Sequence, residues 1–171
     1  VFARSLRYRS LLRRPAVIRE LTQIAEDEPT YGNESAVCHS GDALYAQMIE
    51  DISQARNRVL CEFYMFLSDE TAWRFAKVLA EKAAEGLEVR VIYDAIGSLD
   101  AEEAIFLHLV AEGVEVLEYR PIAPWKERFG VFGRDHRKIL VVDDQVGYLG
   151  GFNLGDCWSE SASCEEVWRD T

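Results

Sequence analysis

Apolar side chains recur along this chain at spacings that indicate alternating helices and strands. Residues 41–57 place their apolar side chains on one helical face, which comprises Leu44, Tyr45, Met48, Ile49, Ile52 and Ala55. The run RVLCEFYMF at residues 58–66 is short and rich in aliphatic and aromatic residues, so it predicts a largely buried strand. The regular part of the chain therefore opens with a helix followed by a strand.

The same order of elements then recurs. An apolar stripe over residues 72–83 predicts a helix that ends before Gly86, and LEVRVIY at 87–93 predicts the next strand. Residues 102–119 repeat the pattern of helix, glycine and strand. Because strands alternate with helices, we expect the α/β class, with a mixed β-sheet flanked by helices on both faces.

Length and composition fit one folded domain. The chain has 171 residues, of which 49% are hydrophobic and 29% charged, and this usage excludes a disordered or collagen-like protein. A chain of this size buries about 70% of its unfolded surface. We expect a basic N-terminal segment or linker at 1–34 and one folded domain at 35–171.

Charge is distributed unevenly along the chain. The net charge is −11, yet the first 19 residues carry six Arg and no acid, so the remainder carries −17. A broad basic surface is therefore absent, and we do not expect nucleic acid as a partner. No run of 18 or more apolar residues occurs, so we expect the chain itself to be soluble.

The N-terminal arginines leave two interpretations open. The chain begins at Val1 and not at Met, so we expect flanking sequence that can include membrane spans. A basic stretch directly after a span suits the cytoplasmic face of a membrane, where we would then place the protein. The alternative is a solvated basic linker.

The cysteines indicate neither a metal site nor a disulfide framework. Cys38, Cys61, Cys157 and Cys164 form no C-x-x-C pair. We therefore expect reduced thiols, as in a cytosolic setting.

The segment RDHRKILVVDDQVGYLGGFNLGD, which begins at Arg134, carries the most informative chemistry. His136 and Lys138 lie two residues apart before an aliphatic run, so on a strand both side chains point to the same face. Asp143 follows His136 by seven residues, an odd offset that directs it to the opposite face about 23 Å away, at roughly 3.3 Å per residue. Asp143 is therefore predicted to belong to a turn and not to contact His136.

A turn over 143–145 predicts a hairpin with a definite register. If the turn is centred on Asp144, Lys138 faces Gly150 and His136 faces Phe152. The returning strand therefore brings Gly150, Gly151 and Asn153 beside the imidazole.

The side chains at this end of the hairpin suit a phosphoryl group. His136, Lys138 and Asn153 would supply an imidazole, a fixed cation and an amide donor. Gly150 and Gly151 would leave the backbone bare, so that an anion could approach closely. No serine nucleophile or metal cluster competes, so we expect a phosphoryl or phosphodiester group rather than a carbonyl to react, and we expect no cofactor.

This segment resembles the signature of the phospholipase D superfamily, H-x-K-x4-D followed by G-[GST]-x-N. Here the signature reads His136, Lys138, Asp143, Gly150, Gly151 and Asn153. The resemblance extends from about Gly41 to the C-terminus and is strongest to the bacterial cardiolipin synthase branch. It rests there on CEFYMF, VRVIYDAIGS, RDHRKILVVDD, GGFN and VWRDT.

The resemblance implies phosphatidyl transfer in two steps without a metal, through a covalent phosphohistidine. A second histidine, from a second copy of the motif, would protonate the leaving alcohol and deprotonate the acceptor. His136 would be either the nucleophile or the acid/base of this pair. Lys138 and Asn153 would bind the non-bridging phosphate oxygens.

The resemblance also assigns two carboxylates. Asp143 would be a structural member of the motif rather than a reactive one. A carboxylate after the motif would fix the tautomer of the histidine, and Asp170 is our choice for it, with Glu166 as the alternative.

The chain departs from the superfamily in having one H-x-K motif where two are needed. His39 and His108 lack a Lys two residues later. The second motif would come either from a second chain about a twofold axis or from sequence beyond Thr171, and we favour the latter. In both cases the isolated chain is half an active site and is expected to be nearly inert unless it pairs.

The best specific hypothesis is cardiolipin synthesis from phosphatidylglycerol, with a membrane surface as partner. The alternatives are a homodimeric phosphodiesterase nuclease and a catalytically silent module that binds lipid head groups.

Some further residues keep two interpretations. Glu62 could act near the phosphate or pair with an Arg. Asp94 and Ser98 could bind a ligand or cap a loop, and Trp125, Phe129 and Phe132 could contact lipid or pack within their loop.

Overall fold

The computed structural model describes residues 15–25, 32–161 and 168. The chain divides into two compact units, residues 1–36 and 37–171. In the first unit, helix α1 spans Pro15–Ala25. Among the described residues, no helix combines the length and the hydropathy required to cross a membrane.

The second unit contains the helices and strands predicted from the sequence. In chain order they are α2 (Gly41–Ser53), β1 (Arg58–Phe63), α3 (Glu70–Ala84), β2 (Glu88–Asp94), α4 (Glu103–Ala111), β3 (Glu115–Tyr119), β4 (Lys138–Val142), β5 (Val146–Leu149) and a 3-10 turn at Asp156–Trp158. Helix α2 ends earlier than predicted. The reason lies at Arg56 and Asn57, whose backbone N–H groups donate to the carboxylate of Asp143 instead of continuing a helix.

The strands form one mixed sheet in the order β3-β2-β1-β4-β5. Strands β1, β2 and β3 are parallel, whereas β4 runs antiparallel to β1 and β5 antiparallel to β4. The predicted α/β class and mixed sheet are therefore confirmed.

The β4–β5 hairpin has the register that a turn centred on Asp144 predicts. Val142 pairs with Val146 and Ile139 with Leu149. Asp143 and Asp144 have φ angles of 52° and 59°, a left-handed pair that reverses the chain tightly.

Helices α2, α3 and α4 enclose one face of the sheet. The side chains of Val59, Cys61, Phe63, Val91 and Leu140 point from that face into the same core as Phe75, Leu79, Ile105 and Leu109 of α3 and α4. Two right-handed crossovers in succession place α3 and α4 on the same side. The opposite face, with half-buried Leu60, Ile92, Ile139 and Val141, has no helix packed on it within residues 37–161. In these residues the helices therefore cover one face of the sheet and not the two expected.

Candidate active site

An open cleft of about 410 Å³ lies where β1 ends and β4 begins. Its lining residues are Tyr64, Met65, His136, Lys138, Gly150, Gly151, Asn153, Trp158 and Trp168. Five of these were predicted from the hairpin and its signature. The remaining four, which are aromatic residues and a methionine, were not predicted as site residues.

The imidazole of His136 lies directly before β4 and is exposed. Its ring centroid is 4.7 Å from that of Tyr64, with a tilt of 50° between the planes. One side of the imidazole therefore rests on an aromatic ring, while the group remains accessible to a ligand.

Lys138 is buried in the wall of the cleft, with only 6% of its surface exposed. Its Nζ donates to the carbonyl of His136 at 2.8 Å and lies 5.1 Å from the centroid of the Tyr64 ring. A buried ammonium group favours an anionic ligand beside it, because water screens its charge poorly.

The amide of Asn153 is oriented by a main-chain contact. Its Oδ1 accepts a hydrogen bond from the N–H of Met65 at 3.0 Å. The hydroxyl of Tyr45 donates to the main-chain carbonyl of Asn153, which holds the backbone of this buried residue in place. Since Oδ1 already accepts from Met65, Nδ2 is the donor end of the amide that can serve a ligand.

The loop after β2 supports the segment that carries Tyr64. Ser98 Oγ accepts from the N–H of Phe66 at 2.9 Å. A Cβ placed on Gly97 would lie 2.1 Å from the carbonyl oxygen of Tyr64, so only glycine permits this approach.

Fully buried Asp94 joins the same loop to the segment that carries the histidine. Its Oδ1 accepts from the N–H groups of Ile96 and Gly97, at 2.9 and 3.2 Å. Its Oδ2 accepts from the N–H of Asp135 at 2.9 Å, one residue before His136. Asp94 and Ser98 therefore make the main-chain contacts of a capped loop, and neither lines the cleft.

Asp143 lies at the other end of β4 and does not line the cleft. Its carboxylate accepts from the main-chain N–H groups of Arg58, Arg56 and Asn57, at 2.9, 2.8 and 2.8 Å. These hydrogen bonds, led by that from Arg58, hold the pKa of the carboxyl below its ordinary value of 3.8. Although it stands in the H-x-K-x4-D signature, Asp143 joins β4 to the loop before β1.

A pair of carboxyl groups, Glu62 and Asp135, lies beside the segment that carries His136. Arg137 forms ion pairs with Glu62 at 2.8 Å and with Asp135 at 2.9 Å. Burial, followed by the neighbouring Asp135, raises the pKa of Glu62 to about 7. Burial acts in the same direction on Asp135, but hydrogen bonds from Glu62 and Arg137 outweigh it and leave that pKa below its ordinary value. Glu62 is thus paired with an Arg, one of the two alternatives that the sequence left open.

The predicted orienting carboxylate, Asp170, and its alternative, Glu166, lie outside the described residues. Among the described lining residues of the cleft there is no carboxylate. An imidazole, an ammonium group, an amide donor and two glycines thus meet in this cleft, an arrangement that suits a tetrahedral phosphate ester.

Comparison with protein families agrees with this geometry. Residues 48–168 match the family model described as "Cardiolipin synthase, PLD-like domain". The chain is 37% identical over 142 residues to a cardiolipin synthase of Listeria monocytogenes serotype 4b, which covers 83% of this chain and 30% of that protein. The chain therefore spans about a third of the length of the curated relatives that it matches.

Solved structures share the fold. Phosphatidylserine synthase of Haemophilus influenzae Rd KW20 superimposes with a TM-score of 0.58 at 23% identity, covering 77% of this chain and 30% of its own. NucT of Helicobacter pylori gives a TM-score of 0.53 at 22% identity, covering 73% of this chain and 72% of its own. At these identities the likeness concerns the fold alone.

Proposed function

Since this chain belongs to the family of phospholipase D-like cardiolipin synthase domains, we propose that it contributes half of an active site for phosphatidyl transfer through a phosphohistidine. The observation that carries the proposal is the convergence of His136, Lys138 and Asn153 on one open cleft. The substrate that fits the family best is phosphatidylglycerol, and the product would be cardiolipin.

In the first step, an imidazole nitrogen attacks the phosphorus of the phosphatidyl donor. A nitrogen–phosphorus bond forms, the bond from phosphorus to the alcohol oxygen breaks, and a second histidine protonates the departing alcohol. In the second step that histidine takes the proton of the acceptor hydroxyl, whose oxygen displaces the imidazole from phosphorus. His136 is either the nucleophile or the acid/base of the pair.

Lys138 and Asn153 stabilise the charge that develops on the non-bridging oxygens. The ammonium group is already buried and the amide is already oriented, so neither group must reorganise as the oxygens gain charge. A hydrogen bond to a charged group contributes about 1.5–3 kcal/mol. Loss of either donor should therefore slow the reaction by at least tenfold.

The second histidine must come from another motif. Since the chain spans 30% of the curated relatives, that motif lies either in another part of a longer protein or in a second copy of this chain. We place the complete site at the cytoplasmic face of the cell membrane, where its lipid donor is found.

Charge favours a lipid over a nucleic acid as substrate. Beyond the first 19 residues the chain carries −17, whereas a nuclease gains affinity from cations that neutralise backbone phosphates. The superfamily also contains nucleases, so the experiment includes a nucleic-acid substrate.

A chimaeric enzyme tests the proposal. This chain replaces the matching 142-residue segment of the Listeria monocytogenes cardiolipin synthase, and vesicles containing ³²P-phosphatidylglycerol are the substrate. We expect labelled cardiolipin, and we expect His136→Ala to abolish it. Protein quenched in alkaline detergent, which preserves the nitrogen–phosphorus bond, should carry label on His136 if this residue is the nucleophile, whereas labelled protein should accumulate in His136→Ala if it is the acid/base.

Two results would overturn the proposal. One is a folded chimaera that binds phosphate but produces neither cardiolipin nor phosphatidic acid, as a silent binding module would. The other is cleavage of single-stranded DNA by the chimaera at a rate above its lipid turnover. His108→Ala is the matched control, because His108 lies in α4, packs against Trp73 and does not line the cleft.

A further inference from the structure

The connection between β3 and β4 exposes an unusual number of large apolar side chains. Residues 121–133, here called the aromatic loop, have the sequence PIAPWKERFGVFG. Trp125 and Phe132 are each 85% exposed, and Ile122, Phe129 and Val131 are also exposed. Single exposed apolar residues are ordinary, but five in one loop indicate a contact surface.

The base of the aromatic loop is closed by main-chain contacts. The N–H of Gly130 donates to the carbonyl of Pro121 at 3.2 Å. The guanidinium of Arg134 donates to the carbonyls of Arg120, at 2.9 Å, and of Gly130. A further hydrogen bond from Arg120 reaches the carbonyl of Phe132. The exposed side chains therefore project from a loop whose ends are tied together.

The aromatic loop and its two flanking arginines are basic, as the first 19 residues are, whereas residues 20–171 together carry −17. Residues 120–134 carry four cations, Arg120, Lys126, Arg128 and Arg134, against the single acid Glu127. The whole chain carries −11. Tryptophan and phenylalanine together with Lys and Arg form the combination that anchors a protein at the surface of an anionic bilayer.

The loop is connected to the support of the cleft. Arg134 lies 3.4 Å from Asp94, which also accepts the hydrogen bond from the N–H of Asp135. His136 follows Asp135 directly, and the aromatic loop ends three residues before it, at Gly133. A surface that binds the aromatic loop would therefore lie close to the segment that carries the imidazole of His136.

We propose that the aromatic loop inserts Trp125 and Phe132 into the interfacial layer of an anionic phospholipid bilayer. This inference rests on the proposed function, since it supplies the surface from which the cleft would take its lipid. A bilayer fits better than a second protein because these side chains belong to a single loop of 13 residues. A stable protein interface needs a larger surface, about 800 Å² on each partner.

Vesicle binding by the 171-residue chain tests the proposal without catalysis. The probes are sonicated vesicles of phosphatidylglycerol and phosphatidylcholine in equal parts, with pure phosphatidylcholine for comparison. We expect co-sedimentation with the anionic vesicles, weakened by salt, and a loss of roughly tenfold or more in affinity for Trp125→Ser/Phe132→Ser. The control Leu107→Ser/Val110→Ser removes two exposed apolar side chains of α4 and should bind as the wild type does.

Depth is measured with brominated phosphatidylcholine, which quenches tryptophan only by contact. Quenching should occur in the wild type and fall in Trp125→Phe, although this variant keeps an aromatic ring and should still bind. If the chimaera makes no cardiolipin, vesicle binding still tests the aromatic loop, because it needs no catalysis. If the chain does not bind vesicles, turnover of soluble dihexanoyl-phosphatidylglycerol by the chimaera still tests the proposed function.

Three results would overturn the proposal. The first is equal binding of vesicles by the wild type and the loop variant, and the second is no binding by either protein. Alternatively, sedimentation equilibrium could show a dimer that Trp125→Ser/Phe132→Ser dissociates, which would make the loop an interface between copies. Circular dichroism of each variant shows whether a loss of binding reflects a loss of fold.

Discussion

The aromatic ring of Tyr64 contacts the imidazole of His136, with 4.7 Å between the two centroids, and the same ring lies 5.1 Å from Nζ of Lys138. One side chain, placed just beyond β1, therefore contacts both His136, which precedes β4, and Lys138, which begins it. Its hydroxyl has no part in either contact.

We predict that Tyr64→Leu weakens the binding of glycerol 3-phosphate to the cleft by about three- to tenfold. Without the ring, Lys138 loses a cation–π contact of about 0.5–2 kcal/mol and the imidazole loses its support. Tyr64→Phe keeps the ring and should remain within about twofold of the wild type. Isothermal titration measures both, and an equal loss in the two variants would mean that the hydroxyl, not the ring, matters.

Asn153→Asp separates the two ends of the amide. An aspartate can still accept from the N–H of Met65, so the fold should persist with little change in melting temperature. The donor Nδ2 is replaced by a negative oxygen, so affinity for inorganic phosphate should fall by about tenfold or more. Unchanged phosphate affinity in a folded variant would show that Asn153 does not donate to the ligand.

Asp143→Asn should lower stability without affecting the cleft. The carboxylate of Asp143 binds three main-chain N–H groups, and its pKa lies below the ordinary value of 3.8. Its stabilisation is therefore fully present above about pH 4 and is lost as the pH falls through the lowered pKa. The difference in melting temperature between wild type and variant should be largest near pH 7 and shrink in acid.

Phosphate affinity provides the second measurement on Asp143→Asn. At pH 7 and a temperature at which both proteins are folded, the two should bind phosphate equally. A selective loss of phosphate binding would place Asp143 in the chemistry of the site, against its position at the far end of β4.

Gly97→Ala should disturb the segment that carries Tyr64. The added Cβ would meet the carbonyl oxygen of Tyr64 at 2.1 Å, so the backbone must move, at a cost of about 1–3 kcal/mol. Gly147→Ala is the matched control, because a Cβ there meets nothing within 4 Å. Urea unfolding measures both, and equal stability of the two variants would contradict the close approach seen at Gly97.

Glu62→Gln should change the pH dependence of stability. The pKa of Glu62 is raised to about 7, above its unfolded value, so its ionisation costs the folded state stability as the pH rises from about 4.5 to 7. The glutamine variant lacks this cost and should gain stability relative to the wild type between pH 5 and 8. A difference that stays constant over this range would show that the folded protein keeps Glu62 ionised throughout.

Local sequence patterns predicted the hairpin and the residues that it brings together. The turn at Asp143 and Asp144, the pairing of β4 with β5, and the gathering of His136, Lys138 and the glycines all depend on residues close in the chain. Period and turn chemistry are sufficient at this range.

The other wall of the cleft could not be predicted in the same way. Tyr64 reaches His136 only because β1 pairs antiparallel with β4, with Phe63 opposite Lys138, and no local pattern specifies this long-range pairing. The run CEFYMF did signal a buried strand, but nothing in its period showed that the ring of Tyr64 leaves the core at the strand end. The second face of the sheet, which no helix within residues 37–161 covers, was predicted wrongly because alternation indicates which side chains are apolar, not what covers them.

The carboxylate of Asp143 accepts hydrogen bonds from the main-chain N–H groups of Arg56, Asn57 and Arg58, which lie 85 to 87 residues earlier in the chain. During synthesis on the ribosome, the parallel strands β1 to β3 can assemble as soon as they emerge, because each lies next to its predecessor. The antiparallel half needs the chain as far as Leu149, and the anion cleft needs it as far as Asn153, so a product interrupted before β4 would lack the cleft altogether.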